Sequence, residues 1–410
     1  MNIPCIKCKG RNPANCGRTF CPITAKANSR VRIEKQDIKE DFNGSAPSPF
    51  VGRHGYPFVN VGILSLPQQR DDAWEFDSPR HWAQNNLGFK KIVDYRSSLI
   101  NSRFKANVKQ QNKMLDISQE VGMASSPVDV EFNLESKPQF KLNTDSFLAP
   151  TGPNAKLKKA QITSNPKIDQ KVDKVVSDTD LRSTQALNYL YNKGFDENFL
   201  SKLLSVGTLG IKNNRRLVPT RWSITATDDT LGKKRIQEVK EFSESNYQAY
   251  FGGYLGNYFL ILLLSDVWSY ELFETYMPGA EFNISDKIQY TTDHELYAGR
   301  KTYAHNCAGG YYASRLPVLD KLRQMKRQST VLVLRFITGE YAIPLGVWCV
   351  REATRKALNN KPIEFSSKEL MLTYVKHLVK KKFNYNVENL LKESVLLRNL
   401  KTQSKLSQFT

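Results

Sequence analysis

The chain has 410 residues and a mass of 46.9 kDa, enough to bury a sizeable core. Single cores stop growing at roughly 250–300 residues, so two or more lobes are expected. Sixty Lys plus Arg against 40 Asp plus Glu give a formal net charge of +20 and a pI near 9.5, which favours polyanionic partners, nucleic acid ahead of an acidic membrane surface.

Residues 1–10 hold two cysteines and no apolar core of signal-peptide length. Four of the six cysteines fall within the first 21 residues: Cys5 and Cys8 form C-x2-C, and Cys16 and Cys21 form C-x4-C. Each pair turns back on itself and presents two sulfurs to one point, the pattern of a structural zinc held by four thiolates with no open position for chemistry. Disulfides would need an oxidising compartment that nothing in the chain supports. Lys7, Lys9, Arg11 and Arg18 surround the cysteines without an acidic residue, so segment 1–24 either approaches phosphate or pins the amino terminus. Cys307 and Cys349 read as isolated buried thiols.

Residues 25–101 read as a Gly/Pro-rich loop followed by helices. Arg53 and His54 lie at the centre of SPFVGRHGYPFVNVG, whose backbone amides can approach an anion. Ser78 and Pro79 begin a helix, and a second apolar-periodic segment at 89–99 carries Arg96 beside Ser97 and Ser98. Residues 102–180, rich in Lys, Gln, Asn and Ser, read as an extended basic arm, although 128–134 alternates as a strand should.

From 181 to 385 the pattern is that of an α+β core with a mixed or antiparallel sheet and flanking helices. Its start, 183–210, forms two short helices joined at Gly194, a hairpin similar to a helix-turn-helix, followed by Arg215 and Arg216; such hairpins are also common without DNA. The stretch RRLVPTRWSITATDD reads as a strand before a helix at 231–242. YFLILLLS, at 258–265, is one buried segment, too short for a bilayer, which takes about 20 residues; a cytoplasmic protein with no membrane partner is expected. STVLVLRFITGEYAIPLGVWCV reads as a hairpin through Gly339. Residues 386–402 form a basic amphipathic helix.

Two clusters invite chemistry. Arg221 and Trp222 precede Asp228 and Asp229, adjacent carboxylates that suit Mg²⁺ or Mn²⁺ in a phosphodiester hydrolase, or that cap the following helix. Further on, Asp293 and Glu295 offer acid–base or metal groups, with Arg300, Arg315, Tyr311 and Tyr312 as cations and stacking faces for bases; the alternative is that the tyrosines pack in the core.

The cysteine head CIKCKGRNPANCGRTFCPI, SPFVGRHGYPFVNVG, VDYRSSLI, NPKIDQKVDKVVSDTDL, LVPTRWSITATDDTLG and CAGGYYASRLPVLDKL together resemble the archaeal Nre family of DNA-repair proteins over nearly the whole chain. The resemblance implies work on damaged DNA, with the ring-shaped sliding clamp as a partner through a short carboxy-terminal motif; nucleoid association and other repair proteins as partners are further expectations. It carries Cys5, Cys8, Cys16 and Cys21 over as zinc ligands and assigns no catalytic residue.

The tail QSKLSQFT, 403–410, has the matching spacing. Gln403, Leu406 and Phe409 fall on one side of a helical turn, so the two apolar side chains can plug a pocket while the amide bonds nearby backbone. Such clamp-binding boxes usually carry two adjacent aromatics, whereas here Phe409 is followed by Thr410. The leading expectation is a DNA-binding repair protein recruited to the clamp; a metal-dependent nuclease, or more weakly an RNA-binding factor, is the rival.

Overall fold

Alternation of side chains builds the first sheet. In β5 (Val128–Leu134) every second residue is buried, and the same period runs through β4 (Ile100–Asn107). The computed structural model describes residues 38–139, 151–280, 282, 283 and 285–402, with Cys21, Thr24, Ala25 and Asn28. Cys5, Cys8 and Cys16, and the tail with Gln403, Leu406 and Phe409, lie outside the described residues. The chain divides into two units, residues 1–231 with Ala342–Leu345, and residues 232–341 with 346–410. The fold has two mixed six-stranded sheets with flanking helices; the core expected at 181–385 contains the second, and the first is built from strands between residues 41 and 162.

The first unit has strand order β1-β5-β6-β4-β3-β2. Its other strands are β1 (Asp41–Ala46), β2 (Ser48–Val51), β3 (Phe58–Ser65) and β6 (Asn154–Ile162), all antiparallel to their neighbours except β4 beside β6. The region expected to be a Gly/Pro loop therefore carries three strands. Pro49 sits in the outermost strand β2, the position in a sheet where a missing N–H is tolerated. Residues 102–180 do not form an arm: β4, β5, β6 and two helices come from this stretch, its lysines facing outward between buried Ala155, Leu157 and Ala160. Val61, Ile63, Phe104, Val130 and Phe132 form the centre of this core.

The helices of this unit are α1 (Pro79–Gln84), α2 (Phe89–Ser98), α3 (Lys113–Met123), α4 (Gln170–Ser177), α5 (Ser183–Asn192) and α6 (Glu197–Ser205). Asn112 caps α3 by accepting the N–H of Leu115 at 2.9 Å, and Asp196 caps α6 by accepting that of Phe199 at 2.8 Å. The hairpin α5–α6 turns at Gly194, whose φ of +95° suits glycine. Its second helix buries Glu197, Leu200, Ser201 and Leu203, with the Glu197 carboxylate 2.8 Å from Arg80 of α1.

Helix α7 (Thr220–Val239) contains the stretch expected to be a strand and turn. Its Ser, Thr and Ile residues favour strand locally. Pro219 and Thr220 nevertheless begin a helix, because Thr220 Oγ1 accepts the N–H of Val51 at 2.9 Å and lies 3.1 Å from Ser205 Oγ, fixing the first turn from outside.

The second unit has strand order β10-β9-β11-β8-β7-β12, with β7 (Tyr247–Tyr254), β8 (Asn257–Leu264), β9 (Ser269–Tyr276), β10 (Gln289–Glu295), β11 (Thr330–Ile337) and β12 (Ile363–Phe365). Only β9 and β11 pair in parallel. The expected hairpin through Gly339 is absent, since β11 inserts between β8 and β9 and is followed by a loop. Helices α8 (Ala308–Met325) and α9 (Trp348–Asn359) pack on one face. Helix α10 (Lys368–Phe383) buries Met371, Val375 and Val379 against Leu260, Leu262, Leu332 and Leu334 on the other. A sheet covered on both faces has continuous apolar strands, as NYFLILLL and TVLVLRFI are. The single helix expected at 386–402 is broken at Ser394 into α11 (Glu388–Glu393) and α12 (Val395–Thr402). No helix among the described residues is long and apolar enough to cross a membrane.

Candidate nucleic-acid interface

The β2–β3 hairpin closes where the N–H of Gly52 donates to Asn60 O at 2.8 Å. At its tip Gly55 has φ of +82°, and a Cβ there would lie 2.8 Å from Phe58 O, so the tight turn admits only glycine. Residues 53–58 are all exposed. The bond from Val51 to Thr220 holds the stem of this hairpin against the first turn of α7 and brings Tyr56 to Trp222. Their ring centroids are 5.4 Å apart, and the side chains are 46 % and 45 % exposed. Arg53, His54 and Arg221 are exposed on the same two segments, and none of them makes an ion pair among the described residues. Exposed rings beside unpaired cations can stack bases and meet phosphates.

Arg53, His54, Arg221 and Trp222, all expected from the sequence, lie on one hairpin and one helix start. Tyr56 and Phe58 are not among the expected residues, although aromatic residues two and four positions beyond His54 are a readable signal.

Two of the other basic candidates in this unit, Arg96 and Arg215, serve the fold. Arg96 pairs with Asp77 at 2.7 Å and lies over the Trp82 ring. Arg215 turns inward to the carbonyls of Gly210 and Asp178, at 2.7 and 2.9 Å, and burial lowers its pKa. Arg216 remains exposed. Asp228 is fully buried within α7 and Asp229 half-buried beside it, so neither lies in a turn or at a helix cap. Adjacent helical positions project about 100° apart, which separates the two carboxylates.

In the second unit, Arg315 of α8 and Glu295 of β10 form a buried ion pair at 2.7 Å. The Arg315 guanidinium lies over the rings of Tyr311 and Tyr312, 5.6 and 5.3 Å from their centroids. Both tyrosines are buried, so they are core residues and not stacking faces; burial also pushes the Tyr311 hydroxyl well up in pKa. Arg300 braces the loop after β10, donating to the carbonyls of Thr302, Tyr303 and His294 and pairing with Asp293 at 2.8 Å. The other Asp293 oxygen accepts the N–H groups of Asn306 and Cys307, and Asn306 Nδ2 donates to Thr292 O at 2.8 Å. Among the described residues no group of three His, Cys, Asp or Glu side chains is placed to hold a metal. At Cys21, Sγ accepts the N–H of Thr24 at 3.4 Å.

Comparison with known proteins places these features in a family. The model described as Archaeal Nre, N-terminal matches residues 15–283, and that described as Archaeal Nre, C-terminal matches 295–409. The DNA repair protein NreB of Archaeoglobus fulgidus is 36 % identical over 397 residues, 97 % of each chain. The DNA repair protein NreA of Haloferax volcanii is 37 % identical over 329 residues, 78 % of each. NreA of Archaeoglobus fulgidus, also named a DNA repair protein, is 36 % identical over 389 residues, covering 93 % of this chain and 95 % of that one. No solved structure matches. By both family models and by relatives aligned along most of its length, the chain belongs to the archaeal Nre family.

Proposed function

We propose that this chain is a DNA-repair protein that binds DNA through the surface around Tyr56 and Trp222. The observation that carries the reading is the exposed ring pair with Arg53, His54 and Arg221 beside it. The net charge of +20 and the names of the relatives support it. The guanidinium groups meet phosphates and release counterions, and the rings take the face of a base. Measured by fluorescence anisotropy, Tyr56→Ala with Trp222→Ala weakens DNA binding by about tenfold or more. Arg53→Ala and Arg221→Ala each reduce the slope of log affinity against log salt by about 0.7–0.9. DNA affinity that stays constant across a tenfold rise in salt would refute the reading.

Recruitment to the sliding clamp belongs to the same proposal, through Gln403, Leu406 and Phe409. It is supported by the spacing of these residues and by their place directly after α12. Deleting residues 403–410 removes clamp binding and leaves DNA binding intact; clamp binding that survives the deletion refutes this part. Cys5, Cys8, Cys16 and Cys21 would hold a zinc ion that crosslinks the amino-terminal segment and supplies no reactive position. Metal content by elemental analysis, near one zinc per chain and lost in a Cys5→Ser and Cys8→Ser variant, tests it.

A further inference from the structure

The solvent face of the first sheet carries a second pattern. Val51, Val61, Phe104 and Ala155 point into the core, and the residues between them point out. On that outer face the register aligns Phe50 with Gly62, Gly62 with Arg103, and Arg103 with Lys156. The neighbouring rows align Asn60 with Lys105 and Phe58 with Asn107. Phe50 is 40 % exposed and Phe58 62 %, the latter at the hairpin end of β3. Arg103 and Lys105 are exposed without an ion pair among the described residues, and Lys156 is exposed and pairs with Glu135 at 2.8 Å at the surface.

We propose that this face is a track for a single nucleic-acid strand, with bases on Phe50 and Phe58 and phosphates on Arg103, Lys105 and Lys156. The proposal rests on the DNA-binding reading above and extends it by naming the strandedness of the ligand. Three considerations select that occupant. Strand spacing of about 4.8 Å and a rise of about 3.4 Å per residue set Phe50 and Phe58 about 14 Å apart, so they serve separate bases. The faces of bases are available to such rings only when the bases are unpaired. The cations form a row two and three strands from Phe50, where a backbone would run beside its bases.

The full-length protein is titrated into fluorescein-labelled oligothymidylate about 30 nucleotides long, an oligouridylate of equal length and the matching duplex. Phe50→Ala with Phe58→Ala is expected to weaken single-strand binding about 30-fold and to change duplex binding less than threefold. Arg103→Ala with Lys105→Ala lowers the single-strand salt slope by about 1.4. All four positions are exposed, and unchanged thermal melting verifies the fold of each variant. Whether the thymidylate or the uridylate binds more tightly identifies the natural strand, and either result supports the track. Unchanged single-strand affinity in the phenylalanine variant, with loss in the Tyr56 and Trp222 variant, overturns the track alone. A wild-type protein that binds none of the three overturns the DNA-binding reading and the track together.

Discussion

The carboxylate of Glu271, buried in β9, accepts the backbone N–H groups of Val395 and Leu396 at 3.1 and 3.3 Å, and the hydroxyl of Ser394 at 2.5 Å. Three donors and the positive end of α12 satisfy a charge that would be costly to bury alone. Glu271→Ala is expected to lower stability by about 1–3 kcal/mol and to speed hydrogen exchange selectively in residues 395–402. Unaltered exchange there would show that the cap does not hold the helix.

The pair Glu295–Arg315 is buried at both ends. Removing one partner of such a pair is costlier than replacing both, because the remaining charge keeps its desolvation penalty. Glu295→Ala is expected to cost about 3–5 kcal/mol in urea unfolding, and Glu295→Met with Arg315→Leu distinctly less. Equal losses would contradict the account.

Tyr258 donates its hydroxyl to Glu340 at 2.7 Å, and burial together with that bond pushes its pKa up from 10.0 to about 12. The folded state thus favours the protonated phenol. Its contribution is fully present below pH 10 and is lost as pH rises through about 12. Stability measured across that window is expected to fall more steeply in the wild type than in Tyr258→Phe.

Burial also pushes the Cys307 thiol up, with Glu274 adding to the shift, and its Sγ lies within 3.7 Å of both Leu272 O and Thr291 Oγ1. A protonated, enclosed thiol is a poor nucleophile. Mass spectrometry after brief alkylation is expected to find Cys307 unmodified in the native protein and modified in denaturant. Rapid native labelling would mean that α8 opens at its start.

Much of the fold was legible where one period dominated. The alternation in 128–134 marked β5, Pro79 marked the start of α1, and Gly194 marked the turn between α5 and α6. What escaped was decided by partners distant in sequence. Thr220 begins a helix because Val51 and Ser205 meet it, and β11 lies between two strands over 50 residues upstream. The same cause divided the candidate site. Arg53 and Trp222 carry their chemistry openly, but nothing local in Tyr311 or Arg315 tells a stacking face from a buried pair.

The loop after β10 does more than support Asp293. Asn306 and Arg300 occupy the carbonyls of Thr292 and His294 on the outer side of an edge strand. A foreign strand approaching the end of β10 finds those acceptors taken, so this border of the sheet resists growth into aggregates when copies crowd together.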